Sequence, residues 1–271
     1  MKGMRFMKIY EILDFEEKRF IGVLLYYEQK KEFIIELSEH LDEWTAPLLF
    51  ANLVKQHIFT VPRDLSFLWV KERIIPSGRQ NITSILKNHK LESYDEMKFL
   101  ELSRGRCSQD SLYIKKADKL PEYVRTRNEK NIVDCILCDK RVLLCFFVDG
   151  TVRKIDLNTI SDMNDVDKIL KNDSLYQSCE IGIGGYFITF NDSIDIAADV
   201  LYETGVRIPL SRNDFICFAQ NNVLDTSQCC EILSCSRQNI SYLVKQEKLH
   251  AIKENVKGNL YLKADVSRNK W

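Results

Sequence analysis

An α+β fold in three modules is what the sequence predicts, and three observations predict it. β-branched and aromatic runs broken by turn residues alternate with segments of helical apolar spacing. The chain is 271 residues long and 45% apolar, enough to bury more than one core. Its texture changes near 125 and again near 220, separating a mixed α+β module over 1–125, a small hairpin-rich α+β domain over 126–215, and two helices with a hairpin over 220–271.

In the first module, FIGVLLYYEQKKEFIIEL (20–37) sets two β-forming runs around the polar EQKK, the pattern of a hairpin. WTAPLLFANLVKQH predicts a helix from Trp44 to His57, with Thr45 and Pro47 near its start. FTVPRDLSFLWVKERIIPSG reads as a loop or short helix, a strand through Trp69 and a turn at Pro76, Ser77 and Gly78; a helix follows from about Asn81. SYDEMKFLELSRG predicts another helix, capped by Ser93 with Glu96 at the capping-box position and stopped at Gly105.

The middle segment NIVDCILCDKRVLLCFFVDGTVRKIDL (131–157) predicts a three-stranded meander, turning at Asp139 with Lys140 and at Asp149 with Gly150. DVDKILKN adds a helical piece, and GYFITFNDSIDIAADVLYETG adds two strands about Asn191 and Asp192, then a short helix. On FFVDGTVRKIDL and GIGGYFITFNDSIDIAADVLYE, residues 131–205 resemble the small α+β family called domain of unknown function 2442. That resemblance implies a fold and a binding or scaffold role, without chemistry.

The last module carries the functional motif. Asp225 or Thr226 caps a first helix whose apolar face is Cys229, Cys230, Ile232 and Leu233. After a break at Ser234 and Cys235, Ser236 caps a second helix, Arg237 to Lys245, which turns Ile240, Leu243 and Val244 inward. Its other face is Arg237, Gln238, Asn239, Ser241, Tyr242 and Lys245: Arg forks onto guanine, Asn and Gln pair with adenine, and Lys and Tyr reach phosphates. HAIKENVKGNLYL then predicts a hairpin turning at Lys257, Gly258 and Asn259, and KADV opens a last helix. Two helices and a basic hairpin make a winged helix-turn-helix.

On Ser236, Arg237, Tyr242, Lys248, Leu249, Ile252, Lys253 and Asp265, taken in that order, this module resembles excisionase and MerR-like DNA-binding domains. It departs from them in carrying Ser234 where they usually have Gly, and in having six residues after Asp265. The resemblance implies double-stranded DNA as partner. Its site set is Ser236, Arg237, Gln238, Asn239, Ser241, Tyr242 and Lys245 in the groove, with Lys253, Lys257 and Asn259 on the wing.

Charge limits that reading. The chain's 39 cations balance 39 anions, while 221–271 carries eight cations against five anions, a local +3. So few phosphate contacts imply modest affinity, so a homo-oligomer or a protein partner is expected. A second candidate anion-binding surface is Arg73, Arg79, Arg104 and Arg106, although such clusters are more often solvated helix faces.

Other signals point away from enzyme chemistry. Cys135 and Cys138 have zinc-type spacing without a second pair, and GIGG at 182–185 lacks a following Lys-Ser/Thr helix. Cys107 and His89 lack an orienting third group. Neither a cofactor nor a metal is expected. Nine cysteines in a chain of this size read as reduced thiols, and no apolar run reaches a membrane span or resembles a signal core, so a cytoplasmic protein is expected. The leading expectation is a bacterial or mobile-element DNA-binding accessory protein, either a transcriptional regulator or an excisionase-like factor. The alternative is a protein-interaction adaptor, or an antitoxin-like or inhibitory protein, whose winged domain docks a protein.

Overall fold

A computed structural model of the chain describes residues 7–160, 165–210, 212–256 and 258–270. Its architecture is mixed α+β with several antiparallel sheets, divided into two units, Met1–Arg125 and Thr126–Trp271. Among the described residues no helix is long and apolar enough to cross a membrane.

The first unit is built on β1 (Met7–Asp14), β2 (Arg19–Tyr27), β3 (Glu32–Leu37), β4 (Thr60–Val61) and β5 (Leu112–Ala117), in the order β4-β3-β2-β1-β5. Ile12, Leu24 and Ile35 from the sheet pack with Phe50, Trp69, Val70 and Leu100 in one core. Full burial of each such side chain contributes about 1.5–3 kcal/mol. The helices are α1 (Ala51–Lys55), α2 (Arg63–Lys71), α3 (Ile82–Asn88) and α4 (Glu96–Ser103).

Several details differ from the sequence reading. β1 was not anticipated, because Lys8, Glu11 and Asp14 interrupt its apolar residues; the fold pairs two of these charges, Lys8 with Glu28 (3.0 Å) and Glu11 with Lys115 (3.8 Å). The helix expected from Trp44 gives way to a turn, since Asp42 Oδ1 accepts hydrogen bonds from the amides of Trp44 and Thr45 and from Thr45 Oγ1. Pro47 is extended (ψ 141°), and regular α-helix begins only at Ala51. The strand through Trp69 is a helix: Pro62 starts it, and Ser66, Trp69 and Val70 recur at helical spacing on its buried side. Asp95, rather than Ser93, caps α4 by accepting from the amide of Lys98.

α5 (Glu122–Asn128) leads into the second unit. There β6 (Ile132–Cys138), β7 (Val142–Phe147) and β8 (Val152–Asp156) form the meander. α6 (Val166–Lys171) and α7 (Asp173–Gln177) precede β9 (Cys179–Ile181), β10 (Phe187–Phe190) and β11 (Ile194–Ala197); α8 (Ala198–Thr204) and β12 (Val206–Arg207) follow. The two sheets are ordered β12-β8-β7-β6 and β11-β10-β9, and they share a core of Ile132, Phe147, Ile155, Ile169, Phe190 and Leu201. The GIGG segment is a turn that lets the backbone come close: a Cβ on Gly185 would lie 2.2 Å from the carbonyl oxygen of Ile132.

The same unit continues into the helix α9 (Arg212–Asn222), β13 (Val223–Leu224), α10 (Thr226–Leu233), α11 (Arg237–Lys245), β14 (Lys253–Val256), β15 (Gly258–Leu262) and α12 (Lys263–Ser267). β13, β15 and β14 form a three-stranded sheet. Leu224, Cys229, Leu233, Ile240, Leu243, Leu249, Tyr261 and Val266 make a separate apolar cluster beneath it.

Candidate nucleic-acid interface

α10 and α11 start where their caps dictate. Asp225 accepts from the amides of Ser227 (2.7 Å) and Gln228 (2.9 Å), and Gln228 accepts from the amide of Asp225, closing a capping box. Ser234 ends α10 in the left-handed conformation (φ 50°), which glycine adopts at lower cost. Ser236 then accepts from the amide of Asn239 to start α11.

α11 is amphipathic. Ile240 and Leu243 are buried, while Gln238, Ser241, Tyr242 and Lys245 are exposed. Gln238, Tyr242 and Lys245 are separated by four and then three residues, which puts them in one stripe on the outer face. Tyr242 is 55% exposed, unusual for an aromatic side chain in a helix with an apolar core beneath it.

The geometry narrows the ten residues expected to contact DNA. Ser236 is occupied as a cap, and Ser241 Oγ donates to the carbonyl oxygen of Arg237 (3.2 Å), one turn back. Asn239 is only partly exposed. Arg237 is exposed and tethered, its Nη2 donating to Ser227 Oγ at 3.0 Å. In the β14–β15 hairpin Lys253 is exposed and Asn259 half-buried; Lys257 lies outside the described residues. The outward groups are therefore Arg237, Gln238, Tyr242, Lys245 and Lys253.

The residues just after α12 bind back onto this segment and, through Arg268, onto β6. Asn269 Nδ2 donates to the carbonyl oxygens of Lys248 (3.0 Å) and Asp265 (2.8 Å). Arg268 pairs with Asp265 (2.5 Å) and donates to the carbonyl oxygen of Val133 in β6. Beside it the Asp134 carboxyl is 6% exposed, and its Oδ2 has no hydrogen-bond partner. Burial pushes its pKa up to about 6, against the lowering effects of the Cys135 amide and Arg268.

A carboxyl that holds its proton more tightly when folded loses stability as pH rises, here between about 4 and 6, and the loss then stays constant. A shift of about two units corresponds to at most ~3 kcal/mol. Asp134→Asn, which removes the titrating group, is expected to gain up to that amount on wild type between pH 4 and pH 7 in denaturant unfolding. Parallel pH profiles for the two chains would exclude this assignment.

Of the second candidate anion-binding set, the structure corrects one member. Arg73 is not part of a surface: its side chain is 1% exposed, its guanidinium lies 3.8 Å from the Trp69 ring centroid, and it is paired with Asp110. A buried cation requires such partners, so Arg73 is unavailable to a ligand anion. Arg79, Arg104 and Arg106 keep exposed side chains, with Arg106 set 5.7 Å from the rings of Phe15 and Tyr113. Cys107 Sγ donates to Asp110 Oδ1 (3.5 Å), whereas His89 sits at the C-terminal end of α3.

Cys135 faces Cys145 across the sheet with 3.6 Å between sulfurs, and all nine thiols are free. Among the described residues no group of three or more His, Cys, Asp or Glu side chains is placed to hold a metal ion. Sequence reasoning missed Ser227, whose link to Arg237 spans ten residues and leaves no periodic signal. No protein-family model matches the chain, and comparison with curated proteins and with solved structures finds no match either.

Proposed function

We propose that residues 220–271 form a winged helix-turn-helix that reads double-stranded DNA, in a DNA-binding accessory protein acting as a transcriptional regulator or excisionase-like factor. The observation that carries this reading is the outward stripe of Gln238, Tyr242 and Lys245 beside Arg237, on a helix whose opposite side is buried. In the major groove Arg237 would fork onto guanine and Gln238 would pair with adenine, with Tyr242 and Lys245 at the groove wall. Lys253 would meet the backbone from the wing.

Charge distribution fits a localised contact. Residues 126–220 carry ten cations and fifteen anions, so the middle segment repels phosphate while the tail attracts it. A +3 tail binds weakly as a single copy, and a second copy would supply a second half-site.

Arg237→Ala is expected to lose about 1–3 kcal/mol on a selected site and little on random DNA. Equal losses on both DNAs in a fluorescence-anisotropy titration would argue against base reading. A second reading, a protein-interaction adaptor, is favoured by Trp44, 86% exposed on a turn fixed by Asp42, and by Leu48 just after it, 95% exposed. Raising salt separates the two readings: groove binding weakens steeply, and an apolar contact changes little.

A further inference from the structure

We infer that Ser227, on the first helix, is the positioning residue that aims Arg237 at its base, an inference that rests on the DNA-binding reading above. An arginine side chain has four rotatable bonds, and ordering it on a base costs much of the interaction unless something holds it beforehand. Here that holding group is present. Arg237 is the first residue of α11 and Ser227 the second of α10, and Arg237 Nη2 donates to Ser227 Oγ across 3.0 Å.

The chemistry leaves the guanidinium able to read a base. A guanidinium has five N–H donors, and one Nη2 proton is committed to Ser227, so each terminal nitrogen keeps a proton for a two-pronged contact. The hydrogen-bond acceptors presented side by side by guanine, O6 and N7, fit that fork. Ser227 therefore fixes the plane of the fork while making no base contact of its own.

Ser227 suits this role because its hydroxyl is not part of the fold's support. It is exposed, and α10 is capped by Asp225 with Gln228, not by the Ser227 hydroxyl. Among the described residues Arg237 has no acidic partner, so none of them competes with a base for the guanidinium.

The test is selection from a random-sequence double-stranded DNA library with the full chain, run in parallel for wild type, Ser227→Ala, Ser227→Thr and Arg237→Ala. Wild type and Ser227→Thr are expected to select a site with a guanine position that Arg237→Ala loses. Ser227→Ala is expected to weaken that guanine preference about fivefold, the worth of one hydrogen bond, with an unchanged thermal midpoint and an unchanged salt slope on random DNA. A Ser227→Ala chain that selects guanine as strongly as wild type overturns the role of Ser227 alone. So does a Ser227→Ala loss that Thr does not restore, or one that falls equally on random DNA. A wild-type chain that retains no DNA overturns the DNA-binding reading and this inference with it.

Discussion

Asp110→Ala is expected to lower the stability of the first unit by about 2–4 kcal/mol, and Arg73→Met by much less. Arg73 is almost fully buried, donates to the carbonyl oxygen of Trp69 at 3.1 Å, and already has an Nε without a partner. Among the described residues, removing Asp110 leaves Glu72, 3.8 Å away and partly exposed, as the remaining acidic partner of this cation. Burial pulls the guanidinium pKa down; arginine does not deprotonate in proteins, so the charge stays and its desolvation goes uncompensated. Methionine removes the cation while keeping an unbranched chain against Trp69, and the one-third-exposed Asp110 carboxylate can take up water. The exposure of Asp110 is the reason for placing the loss below the full cost of breaking a sealed pair. Urea unfolding followed through the buried Trp69 would rank the two variants. If Arg73→Met were the more damaging, the cation would be acting chiefly by packing.

The second large effect is at Gly185. Gly185→Ala is expected to destabilise the second unit by about 3 kcal/mol or more, and Gly150→Ala by only about 1 kcal/mol. Both glycines have a left-handed φ, 75° and 79°, so the backbone strain of adding a Cβ is common to both. The surroundings differ. At Gly150 a Cβ meets nothing within 4 Å, whereas at Gly185 it lies 2.2 Å from the carbonyl oxygen and 3.0 Å from the amide nitrogen of Ile132. Ile132 is a core residue at the start of β6, so that backbone yields only by disturbing the shared core of the two sheets. Circular-dichroism melts of the two variants give the comparison directly, and equal midpoints would show that β6 moves aside freely.

Particular elements show how far the sequence reaches. The β2–β3 hairpin and the β6–β8 meander were legible because their apolar runs are dense and their turns carry polar residues or Asp-Gly. The strand expected through Trp69 failed because a short apolar run has the same appearance in a buried helix, and only its packing decides. The start of α1 was displaced by a side-chain turn at Asp42, an effect too local for periodicity to register.

The candidate site divides in the same way. Sequence alone determined that α11 is amphipathic, that Ser236 caps its start, and which side chains lie on its polar side, because these follow from the 3.6-residue period and from the chemistry of Ser236; it left the cap of α10 open between Asp225 and Thr226. Tertiary structure alone decided that Arg73 belongs to the interior, that Arg237 is held by Ser227, and that Asp134 is enclosed beside Arg268. The physical reason is range. Helical period and capping act within about one turn of chain, whereas burial and charge pairing join residues that are distant in sequence and meet only when the elements pack.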